Sequence, residues 1–502
     1  MPAQKQYLAF DIGGSNGRCM LGSFDGDRLA LDVHTRFENG PVRIRSHYYW
    51  DVVGLFNQVR LSLCKAGSGQ KHNLASLGID TWGTDFGLLD DQGDLLGNPF
   101  CYRDPQTAGM LERAFERMPR EEIFQITGLQ FMPINTLYHL LAMSERHSPA
   151  LEQAERLLLI PDLLCYWLTG EARGEMTNHS TTQLFDTRAR TWSLPLIRAM
   201  GLPEKIFPAL IEAGTPLGLL LSDLAAESGL ARLPVIATAS HDTAAAVASV
   251  PSLAADFAYL SSGTWGLLGA EISEPRLDPK VMAYNFGNEG GVLRTIRLLR
   301  NIVNLWLLQE CRRTWWLEGQ DLSWEALISA AEQAEAFRAC IDPDAPELVL
   351  PKNMPRAIQA YCSRTGQPVP QSVGQIVRTC LESLAFKYRY TVDKLADILG
   401  HPPAVLHIVG GGAQNRLLCQ MAANALGRPV EAGPVEATAL GNLLMQMIGT
   451  GDLASLSEGR QLIRASFPTQ IYAPEAGQEW EERYHTFLKT TGLPEIPAPD
   501  GI

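Results

Sequence analysis

Residues 7–24, YLAFDIGGSNGRCMLGSF, read as a strand, a Gly/Ser/Asn turn and a second strand. Apolar runs on both sides of a turn cluster are the mark of a β-hairpin. The same plan returns at 257–272, FAYLSSGTWGLLGAEI. The two stretches are not alike residue by residue, but each has a small-residue turn and each stands near the start of one half of the chain. The repetition points to two related lobes with a boundary near 245–256.

Working outward, 76–104 (SLGIDTWGTDFGLLDDQGDLLGNPFCYRD) reads as three short strands with a D-Q-G-D turn, and helical patterns run through 105–118 and 136–168. In 372–400, apolar residues recur at spacings of three and four, which predicts a long core helix ended by Gly400 and the prolines after it. AVLHIVGGGAQNRLLCQMAANAL (404–426) predicts a strand, a triple-glycine turn and a helix. Strands alternating with helices make an α/β protein. The end, LPEIPAPDGI, is expected to fray.

Length and composition narrow the function. At 502 residues the chain has enough sequence for two or more domains. A formal net charge of −13 without a long basic run argues against nucleic acid and anionic membranes as partners. Nine cysteines are scattered singly with no C-x-x-C pair, so neither a metal site nor a disulfide framework is expected, and a reducing cytoplasm is. MPAQKQYLAFDIGG lacks the basic-then-apolar order of a signal peptide, and no 18-residue apolar run is present to span a membrane. Nothing in the sequence implies an obligate protein partner.

Three glycine turns could carry chemistry. DIGGSNGR (11–18) is neither a P-loop nor a dinucleotide fingerprint, yet its glycines permit a turn whose amides face phosphate oxygens, with Asp11 and Arg18 nearby. SSGTWG (261–266) supplies hydroxyls and amides, and VGGGAQN (409–415) lets a flat ligand approach a strand end. Each alone also reads as a plain structural turn. Together with Asp11, Asp80 and Asp242 they point to two lobes gripping a nucleotide and a hydrated magnesium ion, held by carboxylates and amides.

Trp82, Asp85, Tyr102, Arg103 and Asp104 suit a sugar, with its apolar C–H faces and hydroxyl edges; Trp82 is equally a core aromatic on pattern. In RLLRNIVNLWLLQE (297–310), Asn301 and Gln309 lie eight residues apart on a predicted helix, lining a ligand site or simply solvated. SHDTAAAV (240–247) follows a strand signal at 235–238 and opens a helix. Asp242 therefore stands at a helix amino end, where it is a cap or a reactive carboxylate stabilised by the helix dipole.

DIGGSNGR, GIDTWGTDF, YRD, SHDTA, YLSSGTW, NEGG, RNIVNLWLLQ, HIVGGGAQN and GPVEATALGN occur in the order found in the FGGY carbohydrate kinases, and the chain resembles that family from about residue 7 to 450. The resemblance implies an α/β fold of two ribonuclease-H-like, actin-like ATPase lobes around a catalytic cleft. It divides the chain into a sugar-binding lobe (1–248), a nucleotide-binding lobe (249–475) and a C-terminal helix and tail (476–502). The similar branch phosphorylates the 1-hydroxyl of L-rhamnulose with ATP and magnesium, in L-rhamnose catabolism. By motif, Gly14, Ser15, Asn16, Gly17, Arg18, Thr264, Gln309 and Gly411 would contact ATP, although which glycine of 410–412 does so is open. Gly83, His241, Asp242, Thr243 and Asn301 would contact sugar, alongside Trp82 and Asp104, with Asp242 as catalytic base and Asp11 and Asp242 near the metal. Thr84 and Gly87 depart from the pattern, which expects Val and a larger apolar residue. The rival readings are a kinase for another ketose such as L-fuculose, and a noncatalytic actin-like ATP-binding sensor.

Overall fold

The hairpin at the start of the chain forms as its pattern requires: Lys5–Ile12 pairs antiparallel with Asn16–Phe24. The computed structural model describes residues 4–68, 73–254, 256–349, 351–475 and 477–497; residues 498–502 of the expected frayed tail lie outside them. The chain forms two compact units, each assembled from separated stretches. Unit 1 comprises Met1–Leu253, Glu271–Leu298 and Ala437–Phe467; unit 2 comprises Ala254–Ala270, Leu299–Glu436 and Pro468–Ile502.

Unit 1 is built on a six-stranded sheet in the order Thr215–Leu219, Pro234–Ala237, Leu74–Thr81, Lys5–Ile12, Asn16–Phe24, Leu29–Glu38. Lys5–Ile12, Leu74–Thr81 and Pro234–Ala237 run parallel, so their carboxyl ends share one edge. Alternation along the first strand sends Leu8, Phe10 and Ile12 into a core with Leu55, Val59 and Leu63, and Tyr7 and Ala9 into another with Leu440, Leu443 and Leu444. Both faces of this central strand are thus covered, as parallel strands need. Helix Ala437–Gly449 packs against helix Asp242–Ala248 so closely that a Cβ on Gly441 would stand 1.7 Å from the Ala245 carbonyl oxygen.

In unit 2, Ala258–Ser262 pairs antiparallel with Trp265–Ile272 and parallel with Leu406–Val409, which pairs parallel with Val430–Ala432. The long helix is Val373–Leu399. Ser372 and Gln375 close a reciprocal capping box at its start, and Gly400 ends it at φ 83°, in the left-handed region glycine favours.

Several expectations change. Residues 297–310 are not one helix: Ile296–Val303 is a strand and Trp306–Leu317 the helix. The β-branched Ile302 and Val303 find a sheet to join, and tertiary pairing overrides the helix-forming Leu and Arg around them. Asn301 and Gln309 therefore lie on different elements. The helical pattern at 136–168 is interrupted by Arg156–Leu159, which pairs with Phe86–Leu89 between helices Thr136–Glu145 and Ile160–Thr169. Residues 76–104 hold two strands rather than three, the rest pairing only through isolated bridges at Leu95 and Phe100. At 105–118, a short 3₁₀ turn precedes helix Met110–Arg117. Among the described residues no helix is long and apolar enough to cross a membrane.

Candidate functional site

The parallel edge of unit 1 collects three carboxylates. Asp11 and Asp80 are register partners on adjacent parallel strands. Thr81 forms a parallel bridge with His241, which brings Asp242 to the same edge. Such an edge, beyond the carboxyl ends of parallel strands, is where open α/β sheets bind ligands. Asp11 pairs with Arg18 at 2.7 Å across the hairpin. Asp80 is fully buried; burial first, then the charges of Asp11 and Asp242, push its carboxyl well above the usual range. Asn442 donates to its Oδ2 at 2.6 Å, while its Oδ1 is buried with no hydrogen-bond partner.

An orphaned carboxylate oxygen between two further carboxylates is a donor set that suits a magnesium ion held through water. Among the described residues no group of three or more His, Cys, Asp or Glu is placed to ligate a metal directly. A magnesium ion held here would keep most of its water, with carboxylates reaching it through that shell.

Asp242 is the first residue of helix Asp242–Ala248, not its cap: His241 holds the cap position without a side-chain capping bond. The Asp242 side chain remains 35% accessible, and its Oδ1 accepts from Thr243 Oγ1 at 3.1 Å. The turn before it is held at Ser240 by fully buried Glu175, whose Oε2 accepts from the Ser240 amide at 3.0 Å and hydroxyl at 2.8 Å. From the other side, the Thr81 amide donates to the Ser240 carbonyl at 2.9 Å. These bonds fix the turn from which the helix bearing Asp242 starts.

Gly83 lies directly beside this turn. A Cβ there would stand 3.2 Å from Thr181 Oγ1 and 3.3 Å from both Asn178 Oδ1 and His241 Nε2, so glycine keeps three converging polar groups uncrowded. Neighbouring Thr84 has φ 73°, unusual for a β-branched residue, and its hydroxyl is buried without a partner. Gly87 faces away from this group: a Cβ would meet Leu163 at 2.8 Å, so the core excludes the larger residue expected there.

The aromatic residues form a braced wall. The Trp50 and Trp82 ring centroids are 4.2 Å apart, and both indoles donate to Asp85 Oδ2, at 2.5 and 2.8 Å. Burial raises the Asp85 carboxyl to about 7 against these hydrogen bonds and that of the Tyr102 amide. Trp82 is buried, so much of its surface serves the core. Asp104 is also structural in use: its side chain is wholly buried and accepts from His47, the Tyr48 amide and the Gln106 amide. Gly14 sits over this wall, its missing side chain facing Trp50 and Tyr102 at 3.7 and 3.8 Å. Gly17 is glycine for packing, because a Cβ would strike the Phe37 ring at 2.1 Å; Ser15 and Asn16 are exposed.

Unit 2 carries Thr264, Asn301, Gln309 and Gly411. Its hairpin turn is pinned by Asn304, which donates to Ser262 Oγ at 2.9 Å and to the Gly263 carbonyl at 3.0 Å, and accepts from the Tyr388 hydroxyl. The Thr264 carbonyl accepts the amide of Trp306, at the start of the helix bearing Gln309. The three glycines divide by role. Gly410 has φ 83°, a Cβ on Gly412 would stand 1.9 Å from Ser262 Oγ, and Gly411 alone has open space beside it. Gly411 is therefore the one of the three glycines where a side chain would meet no neighbour.

Sequence reading missed Glu175, Asn178 and Asn442 as parts of this arrangement, and also Glu289 and Arg297, which stand 3.5 and 3.1 Å from His241 Nδ1. Glu289, Arg297 and Asn442 lie within quoted stretches, NEGG, RLLRNIVNLWLLQE and GPVEATALGN, but no spacing links any of the five to Asp80 or His241.

The N-terminal domain of the FGGY family of carbohydrate kinases matches residues 6–248, and its C-terminal domain matches 258–450. A rhamnulokinase from Bacteroides thetaiotaomicron is 43% identical over 484 residues, 96% of this chain and 99% of that protein. A rhamnulokinase from Enterococcus faecalis is 40% identical over 98% of this chain and 99% of its own. Among solved structures, gluconate kinase from Lactobacillus acidophilus superposes with a TM-score of 0.80 at 17% identity, over 98% of this chain and 97% of that one. Plasmodium falciparum glycerol kinase with ADP gives 0.78 at 15% identity, over 98% and 99%. These two likenesses establish the mixed α/β fold.

Proposed function

The chain belongs to the FGGY family of carbohydrate kinases, and from that premise we propose that it transfers the γ-phosphoryl group of ATP to the 1-hydroxyl of L-rhamnulose, giving L-rhamnulose 1-phosphate and ADP. The observation that carries this reading is Asp242: a partly accessible carboxylate at a helix start, braced through Ser240 and flanked by His241 and Gly83. The name carried by the relatives at 40–43% identity supports the choice of sugar.

Asp242 accepts the proton of the attacking hydroxyl. In phosphoryl transfer that proton leaves late, so the larger task is holding the hydroxyl in line with the phosphorus. His241, Thr243 and Gly83 border the hydroxyl's position, and Asn301 is assigned to the sugar as well. The Gly14–Arg18 turn, Thr264, Gln309 and Gly411 are assigned to ATP. Asp11 and Asp242 would hold magnesium through water, and the ion, when bound, offsets charge on the phosphate oxygens. Nine free cysteines accord with a cytoplasmic location.

The test is ADP release coupled to a visible readout, with a panel of ketohexoses and ketopentoses, and NMR of the product to locate the phosphate. L-Rhamnulose is expected to show the highest kcat/KM, with phosphate on the 1-hydroxyl. A preference of more than about tenfold for L-fuculose or a pentulose would replace the substrate and leave the kinase class intact; such discrimination is within reach of one hydroxyl-reading side chain.

A further inference from the structure

We propose that Arg297, held by Glu289, is a positioning residue that decides which ring nitrogen of His241 carries the proton, so that His241 presents an Nε2–H donor toward the sugar and Asp242. The functional half of this proposal rests on the kinase reading above; the assignment of the proton does not.

Arg297 is fully buried. Its Nε donates to the Gly290 carbonyl at 2.9 Å, and its Nη2 lies 3.0 Å from Glu289 Oε2 and 3.1 Å from His241 Nδ1. A guanidinium has five donors and no acceptor. His241 Nδ1 must therefore accept, and the ring proton sits on Nε2. That nitrogen lies 3.5 Å from Asp242 Oδ1 and 3.3 Å from the point where a Cβ on Gly83 would stand. The donor thus faces both the carboxylate assigned as base and the glycine-opened space beside it. The other tautomer would set N–H against the guanidinium at 3.1 Å and a lone pair against the Asp242 carboxylate, and would gain in return the longer contact of Nδ1–H with Glu289 Oε2 at 3.5 Å.

Glu289 makes the arrangement a contest. Its Oε2 is also 3.5 Å from His241 Nδ1 and, without Arg297, would draw the proton to that nitrogen. Burial pushes the Glu289 carboxyl up, while the charge of Arg297 beside it draws it down, and the group lies below its ordinary range. Arg297 is the nearer partner of Nδ1 and neutralises the carboxylate at the same time. A buried ion pair is a weak source of stability compared with apolar residues of similar volume. Apolar residues could fill the space behind the imidazole, but they could not aim a donor at Nδ1. This gives the NEGG motif a role that packing does not.

The experiment uses the full chain labelled with ¹⁵N-histidine, the His241 ring signals being identified by their loss in His241→Gln. The tautomer is read from the two ring nitrogen shifts, and kcat and KM are measured for sugar and for ATP. In the unmodified protein, Nδ1 is expected bare and Nε2 protonated. Arg297→Met should move the proton to Nδ1 and lower kcat/KM for the sugar by about tenfold to hundredfold, the range for outer partners that orient a metal-bound histidine. The KM for ATP should stay constant.

Because Arg297→Met strands a buried carboxylate, the double variant Glu289→Leu/Arg297→Met keeps the test open if the single one does not fold. It should show mixed tautomers and a comparable loss. Arg297→Lys, which keeps a pure donor, should restore bare Nδ1 and most of kcat/KM. A proton on Nδ1 in the unmodified protein overturns the proposal, as does an unchanged tautomer in folded Arg297→Met or, where that does not fold, in Glu289→Leu/Arg297→Met. A shifted tautomer with unaltered sugar kinetics overturns the positioning role. If the ring signals are as expected but no ketose is phosphorylated, the substrate reading fails and the proton assignment stands.

Discussion

The two hairpins share a backbone plan and differ in what they place at its edge. In unit 1, Lys5–Ile12 pairs antiparallel with Asn16–Phe24 and parallel with Leu74–Thr81, bringing Asp11 opposite Asp80. In unit 2, Ala258–Ser262 pairs antiparallel with Trp265–Ile272 and parallel with Leu406–Val409, bringing Ser261 opposite Val409. One edge ends in carboxylates, the other in hydroxyls and glycines. The acidic edge carries a desolvation cost, visible in Asp80, and Asn442 supports it from behind. The neutral edge has no buried carboxylate opposite its strand end, and Asn304 and Tyr388 help fix its turn. Strand plan places the groups, and the last residues of each strand set their chemistry. Carboxylates suit proton and cation work, whereas amides and small side chains suit phosphate.

The comparison breaks first at Asp242. Asp242→Asn is expected to keep ATP binding while turnover falls about 10²–10⁴-fold, the range for a positioned base, or roughly 3–5 kcal/mol of barrier. Near-normal turnover in a folded variant would remove the chemistry from the acidic edge.

Next in size is the pH response of unit 1. The Asp85 carboxyl is raised from 3.8 to about 7, so the folded chain retains a proton that the unfolded chain has already released. Stability contributed by the protonated form is therefore complete at low pH and falls as pH rises through about 7, by at most about 1.4 kcal/mol per pH unit. Melting temperatures of the wild type and Asp85→Asn across pH 4–8 should diverge in that sense. A constant difference would show that Asp85 does not titrate there.

The neutral edge is sharpened by its glycines. Gly412→Ala should destabilise by about 1–3 kcal/mol, because its Cβ overlaps a packed neighbour. Gly411→Ala should leave the melting temperature nearly unchanged and raise the KM for ATP. Equal melting losses in both would erase the division of roles.

The smallest effect is expected at Thr84. Replacing it with glycine should stabilise by about 1 kcal/mol, since a left-handed backbone costs an L-residue roughly that much. Denaturant unfolding would measure it, and a loss of stability would mean that the contacts of the Thr84 side chain outweigh the strain.

What the sequence determined by itself was local or periodic. The two hairpins follow from apolar runs around turn residues. Helix Val373–Leu399 follows from its three-and-four spacing and Gly400 stop, and the strand-to-helix junction at Asp242 follows from the switch in period. The order of the motifs sufficed for the family. Tertiary structure alone decided whatever depended on a distant partner. Ile296–Val303 is a strand because a sheet was there to pair with it. Gly411 is distinguished from Gly412 only by where Ser262 comes to lie. Asp104 faces inward because His47 and the Tyr48 amide reach it from another hairpin. Arg297 meets His241 across 56 residues of chain. Periodicity encodes which way a side chain points from its own element, but it carries no information about which residue from elsewhere will stand opposite. Hydrogen bonds and buried charges act over a few ångströms and depend on that second fact.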